Sequence, residues 1–179
     1  MKIVLGGPPH SGKSCLREGL KQAIMAVPKS PYPYVITACP DGEGSWFQSA
    51  MRNDPDNARK LKDNYKEDFT PEIAKTRAEW VKSCQEPLCL VDIGGKISEE
   101  NKIICAEATH IILLAGDLKN LPEWREFSKS LKLQIIAEIH SDRDGKADKE
   151  LERCEDDIYR GSIHSLKRGD ESVQERPTV

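Results

Sequence analysis

A short apolar run, Lys2–Leu5, breaks off into Gly7-Pro8-Pro9-His10-Ser11-Gly12-Lys13-Ser14. That segment meets the pattern G-x-x-x-x-G-K-[ST] at every fixed position. Apolar residues then recur at Leu16, Leu20, Ala23, Ile24 and Val27, one face of an amphipathic helix. Strand, glycine loop and helix in this order leave few folds open, because the helix must pack back across the sheet that its strand belongs to. The loop also carries a chemistry. Its glycines let the backbone curl so that successive N–H groups face phosphate oxygens, and the helix adds its positive N-terminal dipole. Lys13 reaches β- and γ-phosphates as a point charge, and the Ser14 hydroxyl is a ligand for Mg²⁺. Gly7, His10, Ser11, Gly12, Lys13, Ser14 and Cys15 are therefore the candidate nucleotide contacts. His10 occupies a variable position, where a solvent-facing side chain is the simpler reading.

Further strand-like runs follow at Tyr34–Cys39, Leu88–Ile93, His110–Ala115 and Leu133–His140. Between them, Thr70-Pro71-Glu72 opens a helix with a hydroxyl cap, proline in the first turn and an early acid. Ile73, Arg77, Trp80 and Cys84 would share its face, with Ala74 and Val81 beside them. Ser98 caps a helix to about Glu107, and Pro122–Lys132 forms another with Trp124, Phe127 and Leu131 inward. A charged helix is expected over Asp148–Tyr159. Residues 1–167 read as one domain, and 168–179 as a polar, unstructured tail. The strands are nearly unbroken apolar runs, as in a parallel sheet covered on both faces. The expected fold is an α/β three-layer sandwich, a mostly parallel sheet of about five strands in the P-loop NTPase manner. Ligands of such sheets sit at the carboxyl ends of the strands, where the glycine-rich segments fall.

A second acid is required to hold the Mg²⁺ shell. Asp92 fits best, with four apolar residues before it and Ile93-Gly94-Gly95 after it. Asp117 flanks the next strand and also suits an ordinary approach to a helix. Asp41 and Glu43, in Pro40-Asp41-Gly42-Glu43-Gly44-Ser45-Trp46, alternate with glycines at the end of the second strand. One of them could orient water or accept a proton from a substrate hydroxyl. The same segment also reads as a tight Asp-Gly turn. Lys13, Asp92, Asp41 and Glu43 are the catalytic candidates, and Ser14 and Asp92 the metal candidates. Arg52, Arg59 and Lys60 suit either a lid over the phosphates or a solvated charged face. Cys84 and Cys89 have no second pair to complete a metal site and read as structural.

Composition narrows the class. Lys and Arg number 27 against 30 Asp and Glu, a net charge of -3, which argues against a nucleic-acid footprint over the whole surface. Mean hydropathy is -0.60, and no apolar run approaches the ~18 residues of a membrane span. Six scattered cysteines, several inside apolar runs, suggest a reducing cytoplasm. No strand end carries Asn-Lys-x-Asp, so ATP is the expected nucleotide. Too little chain follows Ile139 for the lid domain of a full AAA+ motor.

The strings GGPPHSGKS, ACPDGEGSW and VDIGG, with AEIHSDRDG and GSIHSLKRG toward the end, resemble a small AAA-type P-loop NTPase module of CRISPR systems. That module is the partner of a type III ring nuclease domain that degrades cyclic tetra-adenylate. The resemblance spans about residues 1–169. It implies Lys13 and Ser14 as nucleotide and Mg²⁺ contacts, Asp92 as the acid, and Asp41 and Glu43 as signature acids. It also implies a ring nuclease, as a partner or as a fused domain, that the residues read here do not supply. The function expected is therefore a Mg-ATP-binding ATPase that regulates a partner in antiviral defence, possible also as a homo-oligomer. The alternative is a small-molecule or nucleotide kinase acting on a hydroxyl acceptor. A module that binds nucleotide without turnover is the third.

Overall fold

The computed structural model describes residues 1–39, 54, 69–167 and 171–179. In chain order it forms β1 (Lys2–Gly6), α1 (Lys13–Ala26), β2 (Pro33–Thr37), α2 (Pro71–Ser83), β3 (Leu88–Asp92), α3 (Glu99–Cys105) and β4 (His110–Ala115). A 3-10 turn (Leu118–Asn120), α4 (Leu121–Ser130), β5 (Gln134–Asp142), β6 (Lys149–Arg153), β7 (Tyr159–His164) and a 3-10 segment (Glu171–Glu175) follow. The strands make one sheet in the order β2-β3-β1-β4-β5-β7-β6. All neighbours are parallel except β6 and β7.

Alternation along the strands splits the core into two layers. Val4, Cys89, Val91, Ile111 and Leu113 face α2, α3 and α4, meeting Ala74, Val81, Ile104, Trp124 and Phe127. Ile3, Leu5, Leu90, Ile112 and Leu114 face the other way, onto Leu16 of α1 and Val173 of the final 3-10 segment. Helices thus cover both faces, as the unbroken apolar strands require. Thr70 caps α2 by accepting a hydrogen bond from the Ile73 amide, and Ser98 caps α3 from the Asn101 amide. The buried stripe of α2 is Ala74, Ala78 and Val81, a rotation from the face expected. Trp80 lies half exposed, with the Arg77 guanidinium stacked 4.0 Å over its ring.

The sheet has seven strands among the described residues where about five were expected. The two extra strands replace the helix expected over 148–159. Lys149–Arg153 and Tyr159–His164 form a hairpin instead. Its turn is closed by Cys154 N–H donating to the Ile158 carbonyl and by the Asp156 carboxylate accepting the Ile158 amide. Asp157 sits there at φ 63°, a conformation that would break a helix and that Asp tolerates.

The tail also differs from expectation. Residues 171–179 pack against α1, where Val173 is 1% exposed and seats on Gly19. Thr178 donates its hydroxyl to the carbonyls of Lys149 and Ser162. Two apolar side chains, Val173 and Val179, sit in an otherwise polar stretch and provide the anchor that average polarity conceals. No helix among the described residues is long and apolar enough to cross a membrane.

Candidate nucleotide site

The loop between β1 and α1 is shaped by backbone that only certain residues adopt. Gly7 has φ 137°, and a Cβ there would stand 1.9 Å from the Leu114 carbonyl oxygen at the end of β4. Gly12 has φ 88° at the α1 cap, with Leu166 packed where its Cβ would be. His10 is exposed at φ 62°, on the outside of the curl. Ser11 is buried, and its hydroxyl has no hydrogen-bond partner among the described residues.

Lys13 is buried and folds back over the loop, its Nζ donating to the Gly7 and Pro8 carbonyls at 2.9 Å each. Its ammonium is thereby held against the loop backbone. Ser14 and Cys15 follow in the first turn of α1, both buried. These residues suit a polyphosphate: a helix N-terminus, a held cation, an orphaned hydroxyl and glycines without side chains to obstruct approach.

Asp92 ends β3, the strand directly beside β1, in register with Leu5. It is 5% exposed. A carboxylate there and the Ser14 hydroxyl are the donor types Mg²⁺ takes between phosphates. The backbone after Asp92 closes on the loop, for a Cβ on Gly95 would stand 2.5 Å from the Pro9 nitrogen. That contact explains the second glycine of VDIGG. Asn101 of α3 pins the same turn, donating to the Gly94 and Lys96 carbonyls at 3.2 and 2.7 Å.

Sequence reasoning missed Arg17. It lies on α1 one turn beyond Lys13 and is 1% exposed. Its Nη1 donates to Asp92 Oδ2 at 3.2 Å. The available signal was spacing, since positions 13, 14 and 17 share one helical face. Asp117 is not brought to the loop. It is exposed and caps the 3-10 turn by accepting from the Lys119 amide. Asp41 and Glu43 lie outside the described residues, as do Arg52, Arg59 and Lys60. Burial, then the neighbouring Cys84, pushes the Cys89 thiol up to about 12, and burial does the same for Cys105. Neither is a thiolate at neutral pH.

The fold and site together define an α/β protein with a glycine-containing loop at the carboxyl edge of a mostly parallel sheet. No family model and no curated protein matches the chain. One solved structure similar to it is an unliganded sugar kinase from Janibacter sp. HTCC2649, at 12% identity and a TM-score of 0.39 over 97% of this chain and 90% of that one. A likeness this distant fixes neither family nor substrate. Nothing in these comparisons links the chain to a CRISPR module or a ring nuclease.

Proposed function

We propose that this chain is a P-loop enzyme that binds Mg-ATP and transfers its γ-phosphoryl group. The observation that carries the reading is the placement of Asp92 at the end of β3, the strand beside β1, with Lys13 at the start of α1 folded back onto the loop that follows β1. In this reading the loop amides and Lys13 hold the β- and γ-phosphates. Ser14 and Asp92 would hold Mg²⁺, which would supply neutralisation of the charge developing on the transferred group. Because the end of β5 reads His140-Ser141-Asp142-Arg143 rather than Asn-Lys-x-Asp, ATP is preferred to GTP. Control of a ring nuclease partner rests on the sequence resemblance alone.

The acceptor, water or a hydroxyl, decides between ATPase and kinase. Incubation with Mg-ATP, followed by product analysis with and without hydroxyl acceptors, separates them. Equal ADP and phosphate without any acceptor marks hydrolysis, and ADP that appears only with an acceptor marks a kinase. Lys13→Ala is expected to weaken Mg-ATP binding by about a hundredfold, the scale of a lost charge-assisted contact to phosphate. Unchanged binding in Lys13→Ala would refute the proposal.

A further inference from the structure

We propose that Arg17 is a positioning residue for Asp92, one that withholds the carboxylate from a divalent cation until a polyphosphate has bound, an inference that rests on the phosphate-loop reading above. The site would then fill in a fixed order, the anion before its metal or together with it.

The carboxylate that would take the metal already faces a cation. Arg17 Nη1 stands 3.2 Å from Asp92 Oδ2, and the two side chains are 1% and 6% exposed. A guanidinium carries a fixed charge and keeps it in a buried pair. A divalent ion arriving alone at Asp92 must therefore share one carboxylate with a positive group at close range, where charge is poorly screened. Glu18 gives Arg17 little release. Its Oε2 is 3.5 Å from Arg17 Nη2, its side chain is 34% exposed, and its other carboxylate oxygen accepts from Gln22 Nε2 at 3.0 Å. A pair so open to water contributes weakly.

The setting of Arg17 favours an anion over a bare cation. Helix α1 has no acid in its first turn, and Lys13 and Arg17 are both buried, one turn apart near its positive end. Like charges at that spacing disfavour each other, and cations at that end oppose the helix dipole. Arg17 Nε is buried as well and has no hydrogen-bond partner among the described residues. Polyphosphate oxygens relieve each of these conditions, whereas a metal ion on its own adds to them. With the anion's charge in place, metal and guanidinium can both be accommodated at Asp92.

Calorimetric titration of the full chain with MnCl₂ alone, and with sodium tripolyphosphate in the presence of a chelator, tests this. Wild-type protein is expected to bind tripolyphosphate without metal. It is expected to bind Mn²⁺ alone at least about tenfold more weakly than Arg17→Gln, which drops the charge and keeps a hydrogen-bond donor. Arg17→Lys, which keeps the charge, should refuse Mn²⁺ as wild type does. A packing role alone would not separate the two variants in this way. Equal Mn²⁺ affinity in wild type and Arg17→Gln would overturn the proposal, as would a gain in Arg17→Lys equal to that in Arg17→Gln. Wild-type protein that binds tripolyphosphate only when Mg²⁺ is present would overturn it without any variant. Wild-type protein that binds tripolyphosphate neither with Mg²⁺ nor without it would instead refute the phosphate-loop reading itself.

Discussion

Arg17 and Asp92 form an ion pair in which both side chains are withdrawn from water. Removing one partner of such a buried pair costs about 3–5 kcal/mol in general, and Glu18, 3.5 Å from Arg17 Nη2, offsets part of that for the arginine. Arg17→Met and Asp92→Asn are each expected to lose stability on that scale in urea denaturation, and the double variant Arg17→Met/Asp92→Leu to recover part of the loss. A double variant whose loss equals the sum of the single losses would show the two to be independent groups. One practical result follows for Asp92: lost turnover in Asp92→Asn has to be read beside its stability. At this scale the sequence was legible where chemistry fixes spacing. Gly7 and Gly12 take positive φ and Lys13 folds back onto the loop, local geometry that the spacing of the motif encodes. Arg17 was not legible, because a lone arginine on an amphipathic helix has the same pattern whether it meets solvent or a carboxylate across the sheet edge.

Among the elements, one buried carboxylate on β5 ties the hairpin β6–β7 to α4. Glu138 on β5, its side chain 2% exposed, accepts from Arg125 Nε and Nη2 at 2.6 and 2.7 Å and from Arg160 Nε at 2.8 Å. Burial alone would push this carboxyl up, but the hydrogen bonds from Arg125 and Arg160 outweigh it and hold it below the ordinary glutamate range. Arg160 also grips Asp156 with two hydrogen bonds, which brings that carboxyl down to about 2. Both folded values lie below the unfolded ones, so the stabilisation is present above the ordinary carboxylate range and is lost as pH falls through the folded values. Wild-type stability should therefore decline below about pH 4.5. Glu138→Gln should cost about 2 kcal/mol at neutral pH and flatten that decline, both read from denaturation curves between pH 3 and 7. An unaltered acid slope in the variant would mean that other carboxylates control it. The hairpin escaped the sequence because Lys149-Glu150-Leu151-Glu152-Arg153 has helix-forming composition. What overrides propensity is the left-handed Asp157 and Gly161, where a Cβ would stand 2.6 Å from the Lys149 carbonyl oxygen. The caps at Thr70 and Ser98 were legible because capping is local.

For the molecule as a whole, the loop is enclosed by segments far apart in sequence: Gly95 after β3, Leu114 of β4 and Leu166 after β7. The final 3-10 segment packs on the helix that follows the loop, through Val173 on Gly19 of α1. A Cβ on Gly19 would stand 2.5 Å from Val173 Cγ1. Gly19→Ala should therefore loosen the tail and cost about 1–3 kcal/mol despite the gain in helix propensity, with faster hydrogen exchange in 171–179. A stabilised variant would show that the tail does not press on α1. The layered α/β architecture was legible from strand hydrophobicity. The tail was not, since two valines carry its packing and composition averages them away.

The border of the sheet formed by β6 has a consequence for how copies of this protein behave in a crowded solution. Lys149, Glu150, Glu152 and Arg153 are all exposed along that strand, and only Leu151 is drawn inward. Another strand docking there would have to strip water from charges of both signs while matching them in register. Edge strands guarded in this way resist strand-to-strand self-association. The stretch that misled a helix reading by its charge thus protects the fold against fibre-like growth at that border.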